Sequence, residues 1–179
     1  AAGDTLENMT YGPPRKRGFE FLLGLRKMGP NADAFLFSGA GNDILGEDPV
    51  TKDPMLEPLL RDFNGDIGDI AGHINQQVLA ERLDHLQKGY LRMISLVRSE
   101  PGFEKLPIVV HGYDYAFPYP FGPQEHRNPM YAKNDQWLGR AFAAKGITDP
   151  LLRRNVLMEL VDRLYDMLNG LEVRAQTQG

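Results

Sequence analysis

The sequence predicts an α/β fold with a parallel sheet, and three observations lead to this expectation. Two short apolar runs, residues 34–37 and 106–111, have the length and the glycine or proline boundaries of strands. Segments with helical spacing of apolar residues separate these runs. Strands connected through helices pair in parallel, with right-handed crossovers. Because the runs are continuously apolar, we expect both strands to be buried on both faces.

The helices follow from amphipathic spacing and capping residues. The clearest helix covers residues 75–98, where apolar residues recur every three or four positions. Another long helix starts at Pro150, is capped by Asp149 and runs to about residue 169. Shorter helices are predicted after Asp4 or Thr5, over residues 17–27 and over residues 135–144. The tail, residues 172–179, reads as either a partial strand or a frayed end.

A long proline-rich stretch, residues 47–72, reads as loop with a short helical piece near residues 55–60. Loops of this length in a compact domain commonly form a lid or a pocket wall. The chain has no internal repeat and no linker composition, so we expect residues 1–179 to form a single domain.

Composition excludes several classes of function. With 20 basic and 24 acidic residues the net charge is −4, and the longest basic cluster is Arg15-Lys16-Arg17, so a nucleic-acid partner is not expected. The absence of cysteine excludes disulfides, thiolate metal sites and a cysteine nucleophile. No apolar run is long enough to span a membrane, and nothing in the sequence indicates the compartment or the oligomeric state.

The turn after the first strand carries the first candidate site residues. Ligands in open α/β sheets bind beyond the carboxyl ends of the strands, where Ser38, Asn42 and Asp43 would lie. Between Gly39 and Asp43 the turn is loosened by glycine, so the Asn42 amide can donate to an oxyanion. The alternative is that Asn42 and Asp43 only cap the turn. Ser38 lacks the preceding glycine of a nucleophile elbow, which favours a structural serine.

The second strand ends at His111, which should face the same rim as Asn42. His111 is a candidate general base or ligand-orienting residue, or else a buried histidine bonded to a backbone carbonyl. Tyr113 and Asp114 follow it and would line the pocket. A metal-dependent phosphoesterase site built from Asp43, Asp114 and His111 is a further alternative.

Two other motifs are too incomplete to predict a ligand. Gly39-Ala40-Gly41 lacks the third glycine of a dinucleotide loop, and Pro49 interrupts the helix that should follow. The acidic stretch at residues 62–66 lacks the turn glycine and the bidentate glutamate of a calcium loop. We therefore expect neither a cofactor nor a metal.

Three segments together resemble a known family. Ala2-Gly3-Asp4-Thr5-Leu6 and Phe37-Ser38-Gly39-Ala40-Gly41-Asn42-Asp43-Ile44 resemble the second and third sequence blocks of the SGNH hydrolases, the GDSL-type esterases and acylhydrolases. The loop at residues 111–118 is similar to one in a bacterial branch of that family. The segments follow the family order and cover residues 3 to about 171.

The resemblance implies a three-layer α/β/α sandwich of flavodoxin-like type, with a mostly parallel sheet. It also implies hydrolysis of a small-molecule ester or acylated substrate by a Ser-His-Asp triad. The oxyanion hole would take the backbone N–H of Gly3 and the side chain of Asn42 as donors. Ser38, Gly39, Gly41, Asp43, His111, Tyr113 and Asp114 would surround the substrate. The third block is usually G-x-N-D, and Ala40 stands here at its glycine position.

The family's serine block and its Asp-x-x-His block do not occur in this sequence. Thr5, in Gly3-Asp4-Thr5-Leu6, would replace the serine only if this were the first block, and no strand precedes it. We therefore expect a partial domain, truncated at both ends, that supplies the oxyanion-hole portion and is inactive alone. The alternative is a non-catalytic carbohydrate- or acyl-binding module, whose platform would be the aromatic series Tyr113, Tyr115, Phe117, Tyr119 and Phe121.

Overall fold

A computed structural model of the chain describes residues 5–11, 20–48, 50–118 and 137–177. Gly3, Tyr119 and Phe121 lie outside these residues. The described elements in chain order are α1 Leu6–Tyr11, α2 Glu20–Met28, β1 Phe35–Phe37, α3 Gly41–Leu45, α4 Gln76–Arg98, β2 Ile108–Val110, α5 Trp137–Ala144 and α6 Pro150–Thr177. Short 3-10 turns cover Gly29–Asn31, Glu57–Leu59 and Ala71–His73.

The two strands pair in parallel, which confirms the α/β class and the parallel sheet. Phe35 is opposite Ile108 and Phe37 is opposite Val110. The predicted burial of both faces is wrong, because Leu36 is 75% exposed and its partner Val109 is 49% exposed. An apolar run shows that side chains suit a pleated sheet, but it carries no information about which layers cover that sheet.

The chain divides into two compact units, each described here by itself. Unit 1 comprises residues 1–43, 82–112 and 165–179 and holds the sheet. An aromatic cluster packs against its strands: the Phe37 ring centroid lies 5.8 Å from that of Tyr90 on α4 and 6.0 Å from that of Phe21 on α2. Tyr90, Leu86 and Met93 on α4 are fully buried, so this part of α4 forms the core of unit 1 as its apolar stripe predicts.

Unit 2 comprises residues 44–81 and 113–164. Its long loop is anchored rather than open, because Leu56 and Leu59 are fully buried and the Phe63 N–H donates to the Lys145 carbonyl at 2.8 Å. Arg153 on α6 is only 5% exposed and donates to the Ile147 carbonyl at 2.7 Å. Burial of these groups gives the loop a share of the core of unit 2.

The helix predictions agree with the structure except at the tail. Asp149 caps α6 through the Leu152 N–H at 2.8 Å, and Thr5 caps α1 through the Asn8 N–H at 3.2 Å. Instead of a strand or a frayed end, α6 continues to Thr177. Leu171 is buried, so one more turn of the helix extends the apolar face beyond residue 169. No helix among the described residues combines the length and apolar character needed to cross a membrane.

Candidate functional site

The turn that follows β1 is packed closely enough to require glycine at its start. A Cβ atom on Gly39 would lie 2.9 Å from the Phe37 ring and 3.2 Å from the Leu6 side chain. The Gly39 carbonyl accepts a hydrogen bond of 2.8 Å from the buried Tyr90 hydroxyl. The packing of α1 and α4 therefore fixes the position at which the chain leaves the strand.

Ala40 reverses the chain direction in a conformation unusual for alanine. Its φ angle is +73°, in the left-handed region that glycine adopts at no steric cost, and it is 1% exposed. The Asp43 N–H then donates to the Ala40 carbonyl at 3.1 Å, which closes the turn. This left-handed residue directs the chain from the strand into α3.

Asn42 lies in the first turn of α3, just past the carboxyl end of β1. Its side chain is half-buried, so it is neither tucked into the core nor fully in solvent. Ser38, directly after the strand, is exposed, whereas Gly39 and Gly41 are buried. These residues thus lie where the sequence places them. The donor role of Asn42 stays a prediction, and its partner Gly3 lies outside the described residues.

Asp43 forms the structural link between the turn and α1. Its carboxylate is only 4% exposed and accepts the Leu6 N–H at 2.7 Å, as well as the N–H of Glu7. These are amides in the first turn of α1, which lack a helical partner. A side chain 37 residues away therefore caps the helix that follows Gly3-Asp4-Thr5 directly in the sequence.

Burial raises the pKa of the Asp43 carboxyl above its ordinary value of 3.8. The hydrogen bonds from Leu6 and Glu7 and the charge of Arg82 act in the opposite direction. Arg82 on α4 also donates to the backbone carbonyl of Asp43. Desolvation is the largest of these effects, so ionised Asp43 is held at a cost by the donors that surround it.

His111 occupies the position after β2 that Ser38 occupies after β1. The strands are parallel and in register, and the His111 N–H donates to the Phe37 carbonyl at 3.4 Å. Both residues therefore lie at the same edge of the sheet, as predicted. The His111 side chain is exposed, and its Nδ1 donates to the Gly112 carbonyl, which leaves Nε2 as the nitrogen that faces away from that bond. The reading of His111 as a buried histidine is wrong.

Tyr113 and Asp114 belong to unit 2. Asp114 is exposed, and its carboxylate accepts the Tyr115 N–H at 2.8 Å. The Tyr115 hydroxyl in turn donates to Asp162 at 2.6 Å. Asp114 therefore has a local structural role in the loop after β2, and its role in a pocket stays a prediction.

The described residues contain no group of three or more acidic or histidine side chains that could hold a metal ion. In the calcium-like stretch, the side chain of Asn64 donates to Asp69 at 2.8 Å and Asp66 accepts the Gly68 N–H at 2.8 Å. These oxygens cap turns. Asp43, part of the alternative phosphoesterase site, is committed to the amides of α1.

Several residues that shape the turn were not predicted from the sequence. Arg92 donates to the Thr10 carbonyl at 2.8 Å and lies over the Tyr11 ring, so a cation closes the carboxyl end of α1. Gly89 lets α1 approach α4, since a Cβ atom there would lie 3.0 Å from Leu6. Glycine within a strongly amphipathic helix was the available signal, because it is costly without a packing reason.

A comparison with known proteins gives no match to any protein-family model, any curated protein or any solved structure.

Proposed function

We propose that this chain is the oxyanion-hole portion of an ester or acyl hydrolase of the SGNH type. On this proposal the sheet belongs to a three-layer α/β/α sandwich, and the Asn42 amide and the Gly3 N–H donate to the oxyanion of a tetrahedral intermediate. Removal of one such donor typically lowers kcat by about 10²–10³-fold. The substrate is a small-molecule ester or acylated compound.

The observation that carries the proposal is the bond between Asp43 and α1. The carboxylate of the third family block caps the helix that starts immediately after the second block, with Leu6 N to Asp43 Oδ2 at 2.7 Å. Two segments that are 37 residues apart are thereby held together in unit 1. This linkage is what two donors converging on one anion require.

The conformation of Ala40 supports the same proposal. The family carries glycine at this position, and the φ angle of +73° is one that glycine adopts most readily. The turn therefore has the backbone shape that a G-x-N-D segment favours, although alanine occupies its first position. Asn42, two residues later, comes at the exposed end of the parallel sheet, where such enzymes bind their substrates.

Binding of a tetrahedral anion tests the proposal without requiring turnover. We expect ethyl methylphosphonate to shift the Asn42 side-chain amide signal in ¹⁵N NMR spectra in a saturable manner, with acetate weaker at the same concentration. The isosteric N42D variant adds a negative charge at the donor and should abolish this binding. N155D, on α6, is the matched control with the same charge change and should bind normally. Unchanged phosphonate binding by N42D would contradict the proposal.

Labelling with a fluorophosphonate tests the expectation that these residues lack the nucleophile. The serines of the chain are Ser38, Ser95 and Ser99, and none follows Gly-Asp. We expect no stoichiometric labelling. Labelling at a single serine would show that the chain carries its own nucleophile.

The alternative of a non-catalytic binding module has one observation in its favour. Tyr115 is 42% exposed and Phe117 is 54% exposed, so the loop after β2 presents aromatic surface. Calorimetric titration with sugars and acyl esters, compared between the wild-type chain and F117A, tests this function. Binding that is lost in F117A, without product formation, would favour it over the hydrolase.

A further inference from the structure

An unpaired strand edge faces an apolar cavity in unit 1, and this arrangement indicates a second binding site. The cavity has a volume of about 560 Å³ and is bordered by β2, by Ile94 and Arg98 of α4, and by Tyr165 and Leu168 of α6. All of these residues belong to unit 1. The size is within the range of known ligand sites, which is about 300–1,000 Å³.

The hydrogen-bond pattern of the sheet shows which groups of β2 face the cavity. The Pro107 carbonyl accepts the Phe35 N–H at 2.8 Å, and the His111 N–H donates to Phe37. In a parallel pair, alternate residues direct both backbone groups to the same neighbour. Val109 therefore bonds to β1, whereas the N–H and C=O groups of Ile108 and Val110 point to the other side. Among the described residues these groups have no partner.

The two ends of the cavity differ in chemistry. Arg98 donates to the Glu104 carbonyl at 2.9 Å, upstream of β2, and makes no ion pair with a described residue. Tyr165 packs against Gly112, just after β2, so closely that any Cβ there would collide with the ring. The cavity therefore runs along the strand from a cationic end to an aromatic end.

We propose that this cavity binds an extended peptide segment of a partner protein, which adds to β2 as a third strand. The segment carries alternating apolar residues and an acidic residue beside Arg98. The exposed backbone groups of Ile108 and Val110 supply its hydrogen bonds, as in other cases of β-strand addition. The proposal concerns the edge of β2 and does not rest on the hydrolase function.

The backbone groups favour a peptide over a lipid acyl chain. An acyl chain would cover the N–H and C=O groups of Ile108 and Val110 without bonding to them, and each covered, unsatisfied group costs about 1–3 kcal/mol. A strand satisfies the same groups and still places apolar side chains against Ile94 and Leu168. The unpaired guanidinium of Arg98 complements a carboxylate at one end.

Amide hydrogen exchange tests the proposal at the level of single residues. The probe is the peptide acetyl-Asp-Val-Thr-Val-Thr-Val-amide, added to the full chain. We expect it to slow exchange at Ile108 and Val110 by at least about tenfold, because their N–H groups gain partners. Val109 and His111, whose N–H groups already bond to β1, should change little. Unaltered exchange at Ile108 and Val110 with millimolar peptide would overturn the proposal.

Two N-methylated peptides of identical composition are the matched control. Methylation of the amides that face β2 should abolish binding, whereas methylation of the alternate amides should not. Equal binding by both peptides would contradict strand addition. Sodium palmitate that shifts the Ile94 and Leu168 signals, while the peptide does not, would identify a lipid site and also overturn the proposal.

The Arg98 contact has a test of its own. R98Q should weaken binding of the Asp peptide by about fivefold, consistent with an exposed ion pair. It should leave an otherwise identical Asn peptide unaffected. Equal weakening of both peptides would show that Arg98 does not recognise the carboxylate.

Discussion

Two aspartates five residues apart accept the same kind of hydrogen bonds and yet differ in the direction of their pKa shift. Asp43 accepts the N–H groups of Leu6 and Glu7, and its pKa is raised because the carboxyl is buried. Asp48 accepts the N–H groups of Thr51 and Val50, and its pKa is lowered by these bonds at a solvated site. The hydrogen bonds favour the charge in both cases. Loss of water decides the sign, and it marks Asp43 as the residue on which tertiary structure depends.

Removal of each carboxylate should have the largest effect of any test of this comparison. D43A leaves two N–H groups of α1 without an acceptor at a buried position, so we expect a loss of about 2–4 kcal/mol in the free energy of unfolding. D48A, the matched control, should cost less because water can replace the lost acceptor. Urea denaturation measures both. Equal losses would show that burial of Asp43 has no structural consequence.

The range of each contact explains how much could be predicted. Asp48 caps residues two and three positions ahead, and Asp149 caps Leu152, which are patterns readable from the sequence. The strands, the long helices and the location of Asn42 were predictable for the same reason, because periodicity and turn residues are local. The predicted parallel pairing followed from the helix between the strands.

The contacts that hold the turn are not local, and the sequence could not show them. Asp43 meets Leu6 across 37 positions, and Tyr90 meets Gly39 across 51. The exposed face at Leu36 and Val109 was missed because apolar composition does not reveal what lies opposite. A resemblance to a family placed Asp43 in a pocket, whereas its hydrogen bonds give it a capping role.

A comparison of two buried alanines tests the backbone on the side of Asp43. Ala141 in α5 is fully buried, and A141G should cost about 2 kcal/mol through lost helix propensity and lost methyl burial. In A40G the relief of a left-handed φ angle offsets the lost methyl group, so the change should be within about 1 kcal/mol. Thermal or urea unfolding measures the difference. A loss in A40G as large as that in A141G would refute the left-handed turn.

The pH dependence of stability should have opposite signs at the two aspartates. Because the pKa of Asp43 is raised in the folded state, its contribution to stability falls as pH rises above 3.8 through the folded pKa. The pKa of Asp48 is lowered, so its contribution is complete above 3.8 and is lost as pH falls through the folded pKa. The deficit of D43N relative to the wild type should therefore shrink with rising pH.

Urea titrations of the wild type, D43N and D48N between about pH 3 and pH 7 measure these differences. The deficit of D48N should grow as the pH rises toward its plateau. Parallel pH profiles for the two variants would be incompatible with the opposite shifts.

The smallest expected effect is the electrostatic influence of Arg82. Its charge lowers the pKa of Asp43 against the larger effect of burial. R82Q keeps a donor for the Asp43 carbonyl and removes the charge, so the pKa of Asp43 should rise further. Carboxyl ¹³C NMR titration measures it. R92Q, at the other end of α1, should leave the pKa of Asp43 unchanged, and an equal rise in both variants would rule out a specific effect of Arg82.

The brevity of α1 makes its order dependent on the turn after β1. Its six residues are too few for an isolated helix to persist in water. Asp43 joins the first amides of this helix to the turn, so we expect the two segments to open together in one local unfolding event. A compound that steadies Asn42 would consequently protect the Leu6 amide from deuterium. That amide can report on occupancy of a site it does not contact.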